Sequence, residues 1–190
     1  MAIPDSRRYP QERDDTKPRL DLFVSPVDDT VYSAVISPCG LYRYRLSRCW
    51  GSQRRMVWVM LNPSTADAEV DDPTIRRCMG FAKREGYGAI DVINLYALRA
   101  TKPIHLSHHP DPEGPDNLRY WDEVLDDRNV GMVVAAWGAH FADTFLPISQ
   151  AFNHAPLVGW QCLGHTKSDQ PRHPLYVRAS QPFEPLEWER

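Results

Sequence analysis

This chain has few cysteines, no long apolar run and no surplus of either charge, and each shortage excludes something. The four cysteines among 190 residues, Cys39, Cys49, Cys78 and Cys162, form no C-x-x-C pair. That argues against a thiolate zinc or iron–sulfur centre and for cysteines used as small buried apolar residues. No segment approaches the roughly 20 apolar residues that a membrane-spanning helix needs. The stretch from Met1 to Arg19 is polar and lacks the apolar core of a secretion signal, so a cytoplasmic location without membrane contact is expected. With 22 basic and 25 acidic residues the formal charge is −3, which provides no global attraction to phosphate. Nucleic-acid binding would therefore require a local basic patch. Internal repeats and low-complexity segments are also missing.

What is present is the apolar and charged balance of a globular protein, at a length suited to one domain. Residues 1–28 read as an irregular arm, because Pro4, Pro10, Pro18 and Pro26 interrupt any helix. Residues 29–190 read as one α/β domain. Thr30–Ser37 and Leu41–Ser47, joined by Pro38-Cys39-Gly40, predict a hairpin. Its alternation of Tyr42, Tyr44 and Leu46 with Arg43 and Arg45 predicts one wet face.

Beyond the hairpin, apolar runs alternate with helical segments. Met56–Leu61, Ala89–Tyr96, Gly131–Trp137 and Leu157–Leu163 read as strands. Asp72-Pro73 predicts a helix start, with Asp as N-cap and Pro at the first helical position, and Gly86 predicts its end. Further helices are expected over Asn117–Asp127 and Ala139–Phe152, and Pro174–Arg178 reads as extended. Continuous Val/Ile/Leu strands separated by helices imply a parallel sheet covered on both faces. The expected fold is a three-layer α/β/α sandwich with a central, mostly parallel sheet and an N-terminal β-hairpin.

The residues of chemical interest follow strand ends. The run Val57–Leu61 stops at Asn62-Pro63-Ser64-Thr65, where proline restricts the preceding asparagine to an extended conformation. Asn94, Trp137-Gly138 and Arg172-His173-Pro174 occupy similar places, and the carboxyl ends of strands are where open α/β sheets bind ligands. Convergence of these segments would form a pocket. Asn94 reads equally as a strand terminator, and Trp137 as a pocket wall. Of the nearby acids, Asp67 follows the strand-end motif directly, whereas Asp72 is explained by helix capping. His105, His108 and His109 sit among prolines and read as surface loop. No metal or other cofactor is called for. A basic rim around Arg76, Arg77, Arg99 and Arg172 would favour DNA as partner.

The motifs LNPSTAD, DDPTIRRC, VINLY, AWG and PRHPLY, in that order, resemble an uncharacterised domain family of bacteria and phages over about Leu41 to Val177. At a greater distance, the order is similar to the uracil-DNA glycosylase superfamily. There an Asp or Asn before Pro closes the first core strand, an Asn closing the second reads the base, Trp-Gly follows the third, and a late His-Pro supplies the catalytic His. This resemblance implies a uracil-DNA-glycosylase-like fold, with Asn62 and His173 in catalytic positions and Asn94, Trp137 and Gly138 around the base. Asp67 is then the candidate for a missing general base, and Pro63, Ser64, Thr65 and Arg172 complete the pocket.

Base excision leaves positive charge on the sugar and negative charge on the departing base. His173 would hydrogen-bond the base oxygen as that charge grows, Asn94 would read the base edge with a donor and an acceptor, and Asn62 would position water. Two departures qualify the likeness. Uracil-specific members carry Asp where Asn62 stands, and an aromatic where Ser64 stands, so a 5-substituted pyrimidine would fit here. The expected partner is a pyrimidine in DNA or as a nucleotide. The alternative is a non-catalytic protein that binds a nucleotide or modified base in a glycosylase-like pocket.

Overall fold

The computed structural model describes residues 16–64, 71–139 and 159–187. They form one eight-stranded sheet in the order β1-β2-β3-β5-β4-β6-β7-β8. Its strands are β1 (Arg19–Val24), β2 (Val31–Ile36), β3 (Arg43–Cys49), β4 (Arg55–Met60), β5 (Ala89–Asn94), β6 (Val130–Ala135), β7 (Trp160–Cys162) and β8 (Glu184–Pro185). The pairs β5–β4, β4–β6 and β6–β7 are parallel, while β1–β2, β2–β3, β3–β5 and β7–β8 are antiparallel.

This corrects the expected three-layer α/β/α sandwich. The sheet is mixed, and strands make up 31% of the described residues against 20% for helix. Long α-helices are scarce among them: α1 (Pro73–Arg84) and α2 (Asn117–Leu125), with 3-10 turns at Pro103–His108 and Pro174–Tyr176. The apolar runs identified buried strands correctly in kind, but burial on both faces does not require helical cover. Here antiparallel strands extend the sheet sideways, and among the described residues one short helix packs on each face, α2 on one and α1 on the other. The expected helix over Ala139–Phe152 lies, apart from Ala139, outside the described residues, as do residues 157–158.

Alternation along β4 divides the core. Val57 and Val59 face the cluster containing Tyr120, Trp121 and Val124 of α2. Met56, Trp58 and Met60 face the other, with Ile75, Cys78, Phe81 and Ala82 of α1. Helix α1 begins as its sequence dictates. Asp72 Oδ1 accepts the Ile75 N–H at 2.8 Å, Pro73 sits in the first turn, and Lys83 and Arg84 occupy the last turn beside the negative end of the helix dipole.

Three further expectations change. The expected wet face of the hairpin is only partly open: Arg43 is 5% exposed and Tyr44 is fully buried, whereas Arg45 keeps 28% of its side chain exposed and Val31, Tyr32, Ser33 and Val35 are half-buried. Residues 16–28 include the edge strand β1, built on the apolar residues of Leu20–Val24. Pro174–Tyr176 coils into a 3-10 turn, because His173 Nδ1 accepts the Leu175 N–H at 3.3 Å and the Tyr176 N–H reaches the His173 carbonyl. Cys78 and Cys162 are buried, Cys49 is half-buried and Cys39 is exposed at the hairpin turn. Among the described residues no helix is long and apolar enough to cross a membrane.

Candidate functional site

In sequence order the chain runs from β4 through α1 to β5 on one side, whereas β6 continues to β7 on the other. The reversal opens a crevice between the carboxyl ends of β4 and β6, the usual ligand position in such sheets. A cavity of about 480 Å³ lies there, within the size range of small-molecule sites. Asn62, Ser64, Asn94, Trp137, Gly138, Arg172 and His173 all line it. Pro63 is buried behind the wall, where its carbonyl accepts the Ala100 N–H at 3.0 Å. Thr65 and Asp67 lie outside the described residues.

Asn62 is held by its own amide. Its Nδ2 donates to the carbonyls of Pro63, at 3.0 Å, and Ala100, at 2.8 Å. Both amide protons are thus committed to backbone, and the chemistry left for a ligand or water is that of an acceptor, Oδ1. Asn94 is the complement. It is 2% exposed, and its Nδ2 is buried without a partner among the described residues. Its carbonyl accepts from Asn117 Nδ2 and Trp121 Nε1, each at 3.0 Å, so α2 fixes the backbone while the amide meets the cavity. A buried donor without a partner is costly, about 1–3 kcal/mol, and such groups in native proteins commonly mark ligand positions.

On the opposite wall, Trp137 is 2% exposed, and its indole N–H donates to Gln170 Oε1 at 3.0 Å. Gly138 has φ +76°, and a Cβ there would meet His173 Cβ at 3.4 Å. Glycine at this position allows the strand-end chain to turn beside the histidine. Because His173 Nδ1 accepts the Leu175 N–H, the ring proton sits on Nε2 and makes that atom the donor. Leu175 and Tyr176 are exposed at the mouth, with the Tyr176 ring centroid 5.5 Å from that of His173.

Sequence reasoning missed Arg43. Its guanidinium lines the cavity, and burial, then Arg99, push its pKa down to about 10, with Asp72 opposing them. It therefore remains a cation at neutral pH. Its place in an alternating hairpin disguised it as a solvated arginine, and the pairing of β3 with β5 is what brings it beside the end of β5. Thr74 in the first turn of α1, and Thr101 and Thr166 in loops, were also missed, since single hydroxyls carry no distinguishing pattern.

The only carboxylate in the described wall, Asp72, caps α1 and accepts from Ser64 Oγ at 3.2 Å. Asp71 pairs with the fully buried Arg48 at 2.7 Å. The arginines expected to form a basic rim are largely occupied. Arg77 donates to the carbonyls of Pro174 and Val177, Arg76 to that of Asp71, and Arg99 to that of Gly40. Arg172 is exposed at the mouth, and its Nε holds the His165 carbonyl at 2.8 Å. The wall thus offers amides, hydroxyls, one imidazole and one buried cation, a set suited to a flat polar ligand with anionic character.

A family profile described as a protein of unknown function, DUF1643, matches residues 43–175. The chain belongs to the DUF1643 family. The matched span starts at Arg43 and ends at Leu175, so it contains every described residue of the strand-end motifs. Neither the curated proteins nor the solved structures yield a match.

Proposed function

We propose that this cavity binds a pyrimidine base and that the protein is an N-glycosidase of the DNA-glycosylase kind, acting on a pyrimidine, 5-modified or not, in DNA or as a nucleotide. The single observation carrying this reading is the buried Nδ2 of Asn94, unpartnered among the described residues, in a cavity that also presents Asn62 and His173. A pyrimidine edge carries carbonyl and ring N–H groups, and an asparagine amide can pair with both. Loss of the base leaves negative charge on it. The Nε2–H of His173 and the buried charge of Arg43 are donors suited to that charge in a site of low dielectric. The finer likeness to the uracil-DNA glycosylase superfamily belongs to the same proposal.

The commitment of the Asn62 amide protons favours a second reading, a non-catalytic binder of a nucleotide or modified base, because the one carboxylate in the described wall, Asp72, is engaged by the Ile75 N–H and the Ser64 hydroxyl. One experiment separates the two. The protein is incubated with oligonucleotides carrying uracil, mismatched thymine or 5-substituted pyrimidines, and with the free nucleotides. Released base is then measured by mass spectrometry and binding by calorimetry. Release supports the glycosidase, and binding without release supports the reader. Absence of both refutes the site.

Replacing Asn62 by Asp tests the missing base. In a water-filled pocket the carboxylate would restore a general base. Here it would face two carbonyl oxygens in place of two donated hydrogen bonds. Asn62→Asp is therefore expected to lose about 1–3 kcal/mol of stability and to gain no turnover on uracil. A denaturant midpoint read alongside the rate checks both halves.

Base size is tested at Ser64. Ser64→Tyr should lower affinity or rate for a 5-substituted pyrimidine more than for uracil, and the ratio cancels general damage to the fold. An unchanged ratio would mean that Ser64 does not face the ring.

Arg43→Met removes a cation that burial disfavours. Because the folded pKa lies below that of the unfolded chain, the folding penalty is present at neutral pH and declines as pH rises above about 10. The variant's ligand affinity should fall at least about tenfold at pH 7, since a hydrogen bond to a charged group contributes about 1.5–3 kcal/mol. A binding isotherm decides this.

A further inference from the structure

Outside the cavity wall, three groups with metal-binding chemistry meet at the β7–β8 edge of the sheet. Cys162 ends β7, His165 follows three residues later, and Glu184 stands directly opposite Cys162 in the antiparallel β7–β8 register. Their ligating atoms all lie within 4.8 Å of one another. Cys162 Sγ is 3.9 Å and His165 Nδ1 3.5 Å from Glu184 Oε1. Zinc bonds of about 2.3 Å to sulfur and about 2.0–2.2 Å to nitrogen and oxygen place tetrahedral ligands roughly 3.3–3.6 Å apart. Small side-chain adjustments therefore close the set around one ion.

An ordinary surface ion pair would account for His165 and Glu184, which are 27% and 48% exposed. It would not account for a buried thiol at the same carboxylate. The position is also informative. The Gly164 carbonyl accepts the Arg172 N–H at 2.9 Å, His165 bridges Pro171, and Pro171 accepts the Gly138 N–H. The turn between His165 and Pro171 is thus the base on which Arg172 and His173 stand.

We propose that Cys162, His165 and Glu184 bind one Zn²⁺, with water as fourth ligand, and that the ion clamps the loop presenting Arg172 and His173. The sequence signal was the C-x-x-H spacing of Cys162 and His165. Glu184 was beyond its reach, because only strand pairing brings it near. This inference does not depend on what the cavity binds.

The test uses the full chain stripped with a chelator and titrated with CoCl₂. A near-ultraviolet thiolate-to-cobalt charge-transfer band is expected at one equivalent, and ZnCl₂ should displace it. Cys162→Ser should abolish the band. Because that residue is buried and the variant could unfold, the partly exposed ligands supply the decisive variants. His165→Ala and Glu184→Gln should each weaken cobalt binding by more than about tenfold, since loss of even an outer-shell partner costs about 10–100-fold. In the parent, ZnCl₂ should slow amide hydrogen exchange across residues 164–172. No band, or a band of unchanged affinity in both variants, overturns the site. Zinc binding without slowed exchange there overturns the clamp.

Discussion

Replacing His173 by alanine is expected to lower base release by about 10²–10³-fold, while affinity for the ligand changes far less. The loss corresponds to one donor aimed at developing negative charge, roughly 2.7–4 kcal/mol of transition-state stabilisation. Two features of the site sharpen this prediction. The tautomer is set locally, because Nδ1 accepts the Leu175 N–H and leaves the proton on Nε2. The same contact makes His173 the cap of the Pro174–Tyr176 turn, so alanine removes a cap along with a donor. His173→Asn separates the two roles, since asparagine is a good cap but does not extend to the Nε2 position. If the donor matters, both variants lose turnover and the Asn form keeps its melting temperature. Single-turnover release and thermal melts measure these quantities. Full turnover in either variant would show that His173 is not the donor to the base, and the proposed mechanism would fail with it.

The strand-end residues were legible because the local code there is strong. An apolar run halted by Asn62-Pro63 reads as a buried strand with a restricted exit, and Asp72-Pro73 reads as a helix start through capping chemistry. The parallel pairing of β4 with β5 and β6 brings Asn62, Asn94 and Trp137 to one edge without further information. What escaped the sequence was set by distant pairing. Arg43 and Arg45 alternate with apolar residues as in a half-exposed hairpin, and only the docking of β3 against β5 buries Arg43. The helical layers were overestimated for a related reason. Periodicity reports that a strand is buried on both faces but does not say what covers it, and here β1–β3 and β8 flank the parallel strands as antiparallel neighbours. Glu184 is the same case in miniature, separated from Cys162 in sequence and adjacent to it only through register.

The largest stability effect is expected at Asp91, three residues before Asn94 on β5. Its carboxylate is 1% exposed and accepts from Arg45 Nε at 2.9 Å, with Arg55 and the Ser47 hydroxyl as further donors. The cluster joins β3, β5 and β4 three residues short of the cavity end of β5, since β4 and β5 run in parallel toward Asn62 and Asn94. Removing one partner of a buried ion pair costs about 3–5 kcal/mol, mainly because the other charge is stranded. Arg45 and Arg55 retain side-chain exposures of 28% and 17%, so water recovers part of that cost. Asp91→Ala should therefore lie near the lower end of the range, at about 3 kcal/mol, in urea unfolding with an unchanged slope. Asp91→Asn keeps the shape and one acceptor oxygen, and should lose less. The Ala variant, kept folded at low temperature, should still bind the cavity ligand, because Asn94 is fixed separately through its carbonyl by Asn117 and Trp121. A midpoint shift worth under about 0.5 kcal/mol, the usual range of a surface substitution, would mean that Asp91 does not hold the two guanidinium groups. Loss of binding at full stability would mean instead that Asp91 and Asn94 are coupled, and that the site depends on this cluster for its shape.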